Sequence, residues 1–534
     1  MHILSYAPFG AEGIIVRVEV DIRRGLPGID MTGLAEGAVR EARERVRVGF
    51  RNSGYLFPAE RVLINLAPAG VKKGGAAFDL PIALAVMLAS GFVPVQDDVM
   101  ALGEMELSGA LRPVRGVLAA AAAGLKAGVK DFIVPVGNGR EAAILAPGHT
   151  AAVATLEEAA CALRARAETG SFPEQFLVDG AEGPEAGPPS VPGDFSEVRG
   201  QARCKRALEI FAAGGHNMLV FGPPGAGKTM LARRLPSIMP PLTPDEAVEV
   251  TRLHSLAGQL APPEAADGRS RAWGGGLIPW PPFRTPHHSA SAEGILGGGH
   301  TVRPGEISLA HFGVLFLDEA PEFQFHVLQA LREPLEDKVI TIVRAEGPLK
   351  LPADFQLLMA ANGCPCGRLG ARTRPGAPAQ DCLCSPEEIR RYWRKFGGAL
   401  LARVDSRAPA GAPALRAHSA AAAEEPSAAV AARVARAVAT QRERFRASCL
   451  PLRRNAALTP SLVAVYCVLS DRARLAFNKA LSGLGLSGRA YHGCLRLART
   501  IADLEGRDSI DSAQIEEAVE HRRLGDDPYD LLTL

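Results

Sequence analysis

Eight consecutive residues, Gly222, Pro223, Pro224, Gly225, Ala226, Gly227, Lys228 and Thr229, carry the chemistry of this chain most directly. They follow an apolar run, Met218-Leu-Val-Phe221, that reads as a buried parallel strand, and they lead into Met230-Leu-Ala-Arg-Arg-Leu235, a helix-forming segment. In that context glycines let backbone N–H groups converge on phosphate oxygens, a lysine brings charge to the β- and γ-phosphates, and a hydroxyl reaches Mg²⁺. The spacing therefore predicts an ATP site with Mg²⁺ as its ion. A plain Gly-rich turn would leave Lys228-Thr229 unexplained.

A second half-site is expected 90 residues beyond Lys228, where the apolar run Val314-Leu-Phe-Leu317 ends in Asp318-Glu319. Such a strand delivers Asp318 to the Mg²⁺ shell, directly or through water, alongside Thr229, and puts Glu319 where a carboxylate polarises an attacking water. Two acids after a strand are often a solvated turn, and it is the pairing with the phosphate loop that gives them chemistry.

Cys364, Cys366, Cys382 and Cys384 form two Cys-x-Cys pairs around fifteen residues rich in Gly, Arg and Pro. Four thiolates from two turns can surround a tetrahedral Zn²⁺, and the intervening segment has little apolar content with which to order itself. Reduced thiols in a surface loop are the other reading. Seven arginines, Arg433, Arg436, Arg442, Arg444, Arg446, Arg453 and Arg454, fall within 22 residues against the single acid Glu443. That density suits phosphate contacts to a nucleic acid, and equally a basic helix packed by its apolar face.

The elements that must position these groups fall into blocks. The chain has 534 residues, enough for about three domains, and a net charge of +2 from 60 basic and 58 acidic residues, so any polyanion contact must be local. Nine cysteines in a chain of this size do not suggest a disulfide framework. No apolar run spans a bilayer and the start, Met-His-Ile-Leu-Ser, lacks a secretory pattern. A cytoplasmic protein without a membrane partner is expected. Residues 1–169 mix short strands (13–20, 62–66) with Ala-rich helices (82–90, 117–127), an α+β pattern. Residues 170–195, with Gly180-Ala-Glu-Gly-Pro-Glu-Ala-Gly-Pro-Pro, read as a linker, 196–405 as the α/β nucleotide block with its Cys-rich loop 364–384, 406–427 as a low-complexity connector, and 428–534 as helical.

Further motifs run over nearly the whole length: Gly200-Gln201, Pro282-Phe-Arg-Thr-Pro-His-His-Ser289, Arg303-Pro-Gly-Glu-Ile-Ser-Leu-Ala-His311, Leu331-Arg-Glu-Pro-Leu-Glu336, Asn65-Leu-Ala-Pro-Ala69, Phe78-Asp-Leu-Pro-Ile-Ala83, residues 103–116, Leu486-Ser-Gly-Arg-Ala-Tyr-His492 and Ala498-Arg-Thr-Ile-Ala-Asp-Leu504. With them the chain resembles the Mg-chelatase-like AAA+ ATPases of the YifB/ComM type, a family associated with competence and branch migration. The resemblance implies a Lon-protease-like N-terminal domain, an AAA+ P-loop domain and a C-terminal helical lid, assembled as a homo-oligomeric ring, a hexamer, acting on single-stranded or branched DNA as a helicase. It implies Asn362 as the sensor-1 residue, Arg403 as an arginine finger reaching a neighbour's ATP, and Arg489 as sensor 2 from the lid. It also implies that His287-His288 lies in a loop near the pore, between Gly-rich stretches 274–276 and 297–299 that read as mobile.

The chain departs from the family pattern at Ala402, where Asp is usual, and at Gly363, where Pro is usual after the sensor Asn. Ser406-Arg-Ala-Pro-Ala-Gly-Ala-Pro stands where a strand normally follows the finger, which leaves Arg407 as a competitor to Arg403. A Lon-type protease needs a Ser nucleophile and a Lys base. Lys73-Gly-Gly-Ala-Ala-Phe-Asp79 has no Ser, and Leu118 takes the place of the lysine, so peptidase activity is not expected. A metal-chelatase ATPase subunit and a non-enzymatic ring scaffold are the alternatives to a DNA motor.

Overall fold

The computed structural model describes residues 1–33, 37–71, 73–95, 98–179, 193–260, 276–299, 303–344, 347–369, 382–411, 424–484 and 487–523. The expected linker core at 180–192, most of the connector at 412–423, Gly274 and Gly275, and the Cys-rich loop interior at 370–381 lie outside the described residues. No helix among the described residues is long and apolar enough to cross a membrane.

The N-terminal block is built on a seven-stranded mixed sheet. Ile14–Arg23 sits between His2–Ala7 and Arg61–Ala67, antiparallel to both, and alternates buried and exposed residues as a strand with one covered face does. The opposite wing, Val99–Ala101, Asp131–Pro135 and Thr150–Val153, is parallel. Helix Asp79–Ala89 is apolar on all sides and accordingly lies inside the block, with Asp79 held by the Arg45 guanidinium at 2.8 and 2.9 Å. Residues 171–178, expected to be linker, pack on this block instead: Phe172 and Phe176 are buried in its core and the Val178 N–H donates to Thr150 O at 3.2 Å. Two aromatic residues gave the segment enough apolar area to dock despite its polar neighbours.

The central block is a five-stranded parallel sheet in the order Phe283–Arg284, Val314–Leu317, Gln356–Ala361, Met218–Phe221, Ser406–Pro409. Its inner strands are buried on both faces, the reason their sequences read as unbroken apolar runs. Ser406–Pro409 corrects one expectation. The strand that seemed replaced is present, pairing Met218 with Ser406 through Phe221 with Pro409, so the sheet runs past residue 405. Pro409 is tolerated because the strand is an edge. Gly297–Gly298 likewise pairs with Arg303–Pro304 in a short antiparallel ladder, where a loop was expected.

From Ser427 to Arg523 the regular structure is helical apart from isolated bridges: Ser427–Ala447, Pro460–Tyr466, Asp471–Leu484, Gly488–Leu504 and Ser512–Arg523. Their apolar faces share one core with helix Ala202–Gly214 and the sheet. The N-terminal block meets the central one through helices Val117–Lys126 and Pro244–Ala257. There the Ser255 hydroxyl donates to buried Glu141, which also accepts the Leu118 N–H at 2.9 Å.

Candidate active site

Parallel strands end in a row, and the loops at their carboxyl ends converge. Met218–Phe221 delivers the phosphate loop, Val314–Leu317 delivers Asp318 and Glu319, and Gln356–Ala361 delivers Asn362. Gly227 takes a left-handed conformation, φ +85°, immediately before helix Lys228–Arg234, a turn that costs a Cβ-bearing residue energy. Gly222 is held for space: a Cβ there would stand 2.1 Å from the carbonyl oxygen of Ala410, just beyond strand Ser406–Pro409.

The Thr229 hydroxyl donates to Asp318 Oδ2 at 2.8 Å. A hydroxyl and a carboxylate so placed are hard oxygen donors of the kind Mg²⁺ takes, so the residues fit that ion. Glu319 adopts φ 49°, ψ 46° and is solvent-exposed. Lys228 Nζ donates to Gly222 O at 2.8 Å, Pro223 O at 2.9 Å and Asn362 Oδ1 at 3.0 Å. Burial pulls the Lys228 ammonium below the usual lysine range, with Asp318 and Glu319 acting in the opposite sense. Gln201 escapes a reading by residue type. It sits at φ 56° and its amide donates to Ala226 O at 3.0 Å and Gly411 O at 2.5 Å, tying the loop to the chain beyond the edge strand.

Arg403 and Arg489 are elsewhere. Arg403 lies before strand Ser406–Pro409, at the amino edge of the sheet, where Asn217 Nδ2 donates to Arg403 O at 3.1 Å. The strand Met218–Phe221 separates that edge from the phosphate loop by about 13 Å at about 3.3 Å per residue. Arg489, near the start of helix Gly488–Leu504, reaches the same place: both guanidinium groups donate to Glu336, Arg489 at 3.1 Å. Hydrogen bonding from Arg403 holds the Glu336 carboxyl below its ordinary range, with Arg489 adding to the effect. All three line a cavity of about 970 Å³, with Ala402, Arg496 and His492. Arg407 is only 1% exposed and donates to Leu401 O at 3.2 Å, so Arg403 is the guanidinium that faces the cavity. Glu336 had no role assigned from sequence, although it closes the Leu331-to-Glu336 motif.

The four cysteines Cys364, Cys366, Cys382 and Cys384 converge, their sulfur atoms all within 4.8 Å of one another. Sγ separations are 3.3 Å for Cys364 and Cys366, 3.6 Å for Cys366 and Cys382, and 3.5 Å for Cys382 and Cys364. Sulfurs around a tetrahedral Zn²⁺ lie about 3.8 Å apart, so the cluster has the dimensions of a metal cage. The rings of His287 and His288 lie 4.1 Å apart, tilted by 33°, and His287 Nδ1 pairs with the Ser289 hydroxyl at 2.8 Å.

Four of the seven arginines of 433–454 find acidic partners outside that stretch. Arg433 pairs with Glu209 at 2.6 Å and with Glu425, Arg444 with Asp503 at 2.5 Å, and Arg453 with Glu246 at 2.6 Å and Arg442 with it at 3.5 Å. Acids distant in sequence thus oppose charges that a local count leaves unopposed, which favours the packed-helix reading for these four, while Arg436 is exposed and Arg446 pairs with Glu443.

Residues 194–411 match the protein family described as "Magnesium chelatase, subunit ChlI", residues 18–138 the one described as "Subunit ChlI of Mg-chelatase", and residues 424–522 "Magnesium chelatase, subunit ChlI C-terminal". The protein YifB of Salmonella typhimurium is 38% identical over 523 residues, 97% of this chain and 96% of that protein. Competence protein ComM of Haemophilus influenzae is 36% identical over 526 residues, 98% of this chain and 97% of that one. A Lon protease from Geobacter metallireducens is 29% identical over 145 residues, 26% of this chain and 17% of the protease.

Proposed function

The chain belongs to the YifB and ComM type of Mg-chelatase-like protein, and from that premise we propose that it is an AAA+ ATPase that works as a homo-oligomeric ring, a hexamer, on DNA. The observation that carries the ATPase reading is the convergence of Lys228, Thr229, Asp318 and Asn362 within hydrogen-bonding distance at the carboxyl ends of three parallel strands. Thr229 and Asp318 would hold Mg²⁺, which when bound neutralises charge on the phosphates. Lys228 releases its carbonyl contacts to bind the β- and γ-phosphates, Glu319 takes the proton of the attacking water, and Asn362 orients that water or the γ-phosphate.

Arg403 and Arg489 stand on the far edge of the sheet from their own phosphate loop, which supports a role in another subunit's site and therefore a ring. The cavity they line is where a neighbour's nucleotide would enter. Arg489, implied as sensor 2 from the lid, would act with Arg403 in completing the next subunit's site. In this reading residues 427–523 form the helical lid domain and the N-terminal block is a Lon-like domain without peptidase chemistry. Lys73 is buried and donates to Pro68 O, with no hydroxyl in the segment 73–79 for it to activate. The four thiolates bind zinc.

DNA as substrate rests on likeness to a protein named for competence. The family description also favours a chelatase-type reading, in which the motor drives metal insertion. ATPase rates measured with and without single-stranded and branched DNA decide between them. Stimulation by DNA at concentrations that support assembly is expected. A rate unmoved by every DNA form would favour the chelatase reading.

A further inference from the structure

The thiol cluster is built into the wall of the candidate ATP site. Cys364 follows Asn362 by two residues, and its sulfur accepts the Leu369 N–H at 3.3 Å. Cys384 immediately precedes Ser385, the cap of helix Pro386–Arg394. That helix carries Trp393, whose indole N–H donates to Gly363 O at 3.0 Å and whose ring meets Phe221 edge-on at 6.1 Å. Phe221 is the last residue of the strand that delivers the phosphate loop. Gly367, φ +75°, lies beside the loop itself: a Cβ there would stand 3.0 Å from Pro224 Cδ and 4.0 Å from Asn362 Cγ. The knuckle therefore adjoins the site at two places, at the strand through Trp393 and at the phosphate loop through Gly367, where a side chain would press on Pro224.

We propose that Cys364, Cys366, Cys382 and Cys384 hold a zinc ion that positions Asn362 and the phosphate loop, so that metal loading sets the rate of ATP cleavage. This rests on the ATPase reading and on zinc as the occupant of the thiolates. Four thiolates closing both ends of 364–384 remove the freedom of exactly the residues adjoining Asn362, and a catalytic group displaced by an ångström loses on the order of 10²-fold in rate.

The test uses full-length protein purified without chelator, measuring zinc content, kcat, KM, nucleotide affinity with a fluorescent ATP analogue, and tryptophan emission. Two variants separate the causes: Cys366→Ser with Cys384→Ser, which removes ligands, and Gly367→Ala, which keeps all four thiols and presses on Pro224. Wild type and Gly367→Ala should carry about one zinc per chain and the double variant none. Both variants should lose kcat on the order of 10²-fold with nucleotide affinity changed only a few-fold, and removal of the metal should shift the Trp393 emission. If the double variant fails to fold, Gly367→Ala still carries the test. Zinc-free or Gly367→Ala protein with wild-type kcat overturns the positioning role while leaving zinc and ATPase standing. A wild type that neither contains nor takes up zinc overturns the metal, and a zinc-loaded wild type without ATPase removes the reading beneath it.

Discussion

Lys228 and Asn362, 134 residues apart in the chain, share a 3.0 Å hydrogen bond from ammonium to amide oxygen. The phosphate loop and the end of strand Gln356–Ala361 are thus one polar unit, and a change at either reaches the other. Asn362→Ala should keep ATP affinity within a few-fold and lower kcat by on the order of 10²-fold, as loss of a single transition-state donor does. Equal losses in affinity and kcat would show instead that Asn362 only holds Lys228.

Lys228→Ala and Glu319→Gln should fail differently. Without its ammonium the loop no longer neutralises the phosphates, and nucleotide binding is lost. Glu319 is exposed and makes no contact with the loop lysine among the described hydrogen bonds, so its amide variant should bind ATP normally and stop turnover. Filter binding and single-turnover hydrolysis distinguish the two, and brisk turnover by Glu319→Gln would remove its assignment as the base.

His254 sets a pH limit. Burial, with help from Arg284, lowers its pKa from 6.5 to about 4, and its neutral ring faces Leu309 O at 3.1 Å. A histidine depressed in the folded state takes up its proton more readily when unfolded, so the chain loses stability as pH falls below 6.5, by about 2 kcal/mol at pH 5, with the loss complete below about 4. Urea midpoints followed from pH 7 to 5 should fall, and His254→Gln should flatten that fall. An unchanged slope in the variant would place the proton uptake elsewhere.

Arg453 pairs with Glu246 at 2.6 Å and covers the Phe312 ring at 3.7 Å from its centroid. Arg453→Glu should therefore cost about 1–3 kcal/mol of stability, and the salt dependence of any DNA binding should be unmoved. A normal melting temperature combined with a flattened salt slope would restore this arginine to a phosphate-binding face.

What the sequence made legible was what depends on neighbours in the chain. Met218–Phe221 and Val314–Leu317 coincide with strands, because both faces of a parallel strand are buried and four apolar residues in a row announce it. The thiol cluster was legible by spacing. Ser406–Pro409 was not, because an edge strand needs no apolar run and tolerates Pro, and its partner Met218–Phe221 lies almost 190 residues earlier. A local count of charge could not show that Arg433, Arg442, Arg444 and Arg453 are paired, since Glu209, Glu246 and Asp503 lie far away in the chain. Nor could spacing show that Arg403 and Arg489 share Glu336, a meeting set by packing of the helices against the sheet.

The shared site is tested most directly by mixing. Lys228→Ala subunits bind no nucleotide but keep Arg403, and Arg403→Ala subunits keep the phosphate loop but lack the finger; each alone should be inactive. If Arg403 completes a neighbour's site, rings formed from an equal mixture should regain activity at about a quarter of their interfaces, rising and falling with the mixing ratio. A mixture as inactive as its parents, in rings shown to contain both, would contradict the account and place Arg403 outside the reaction.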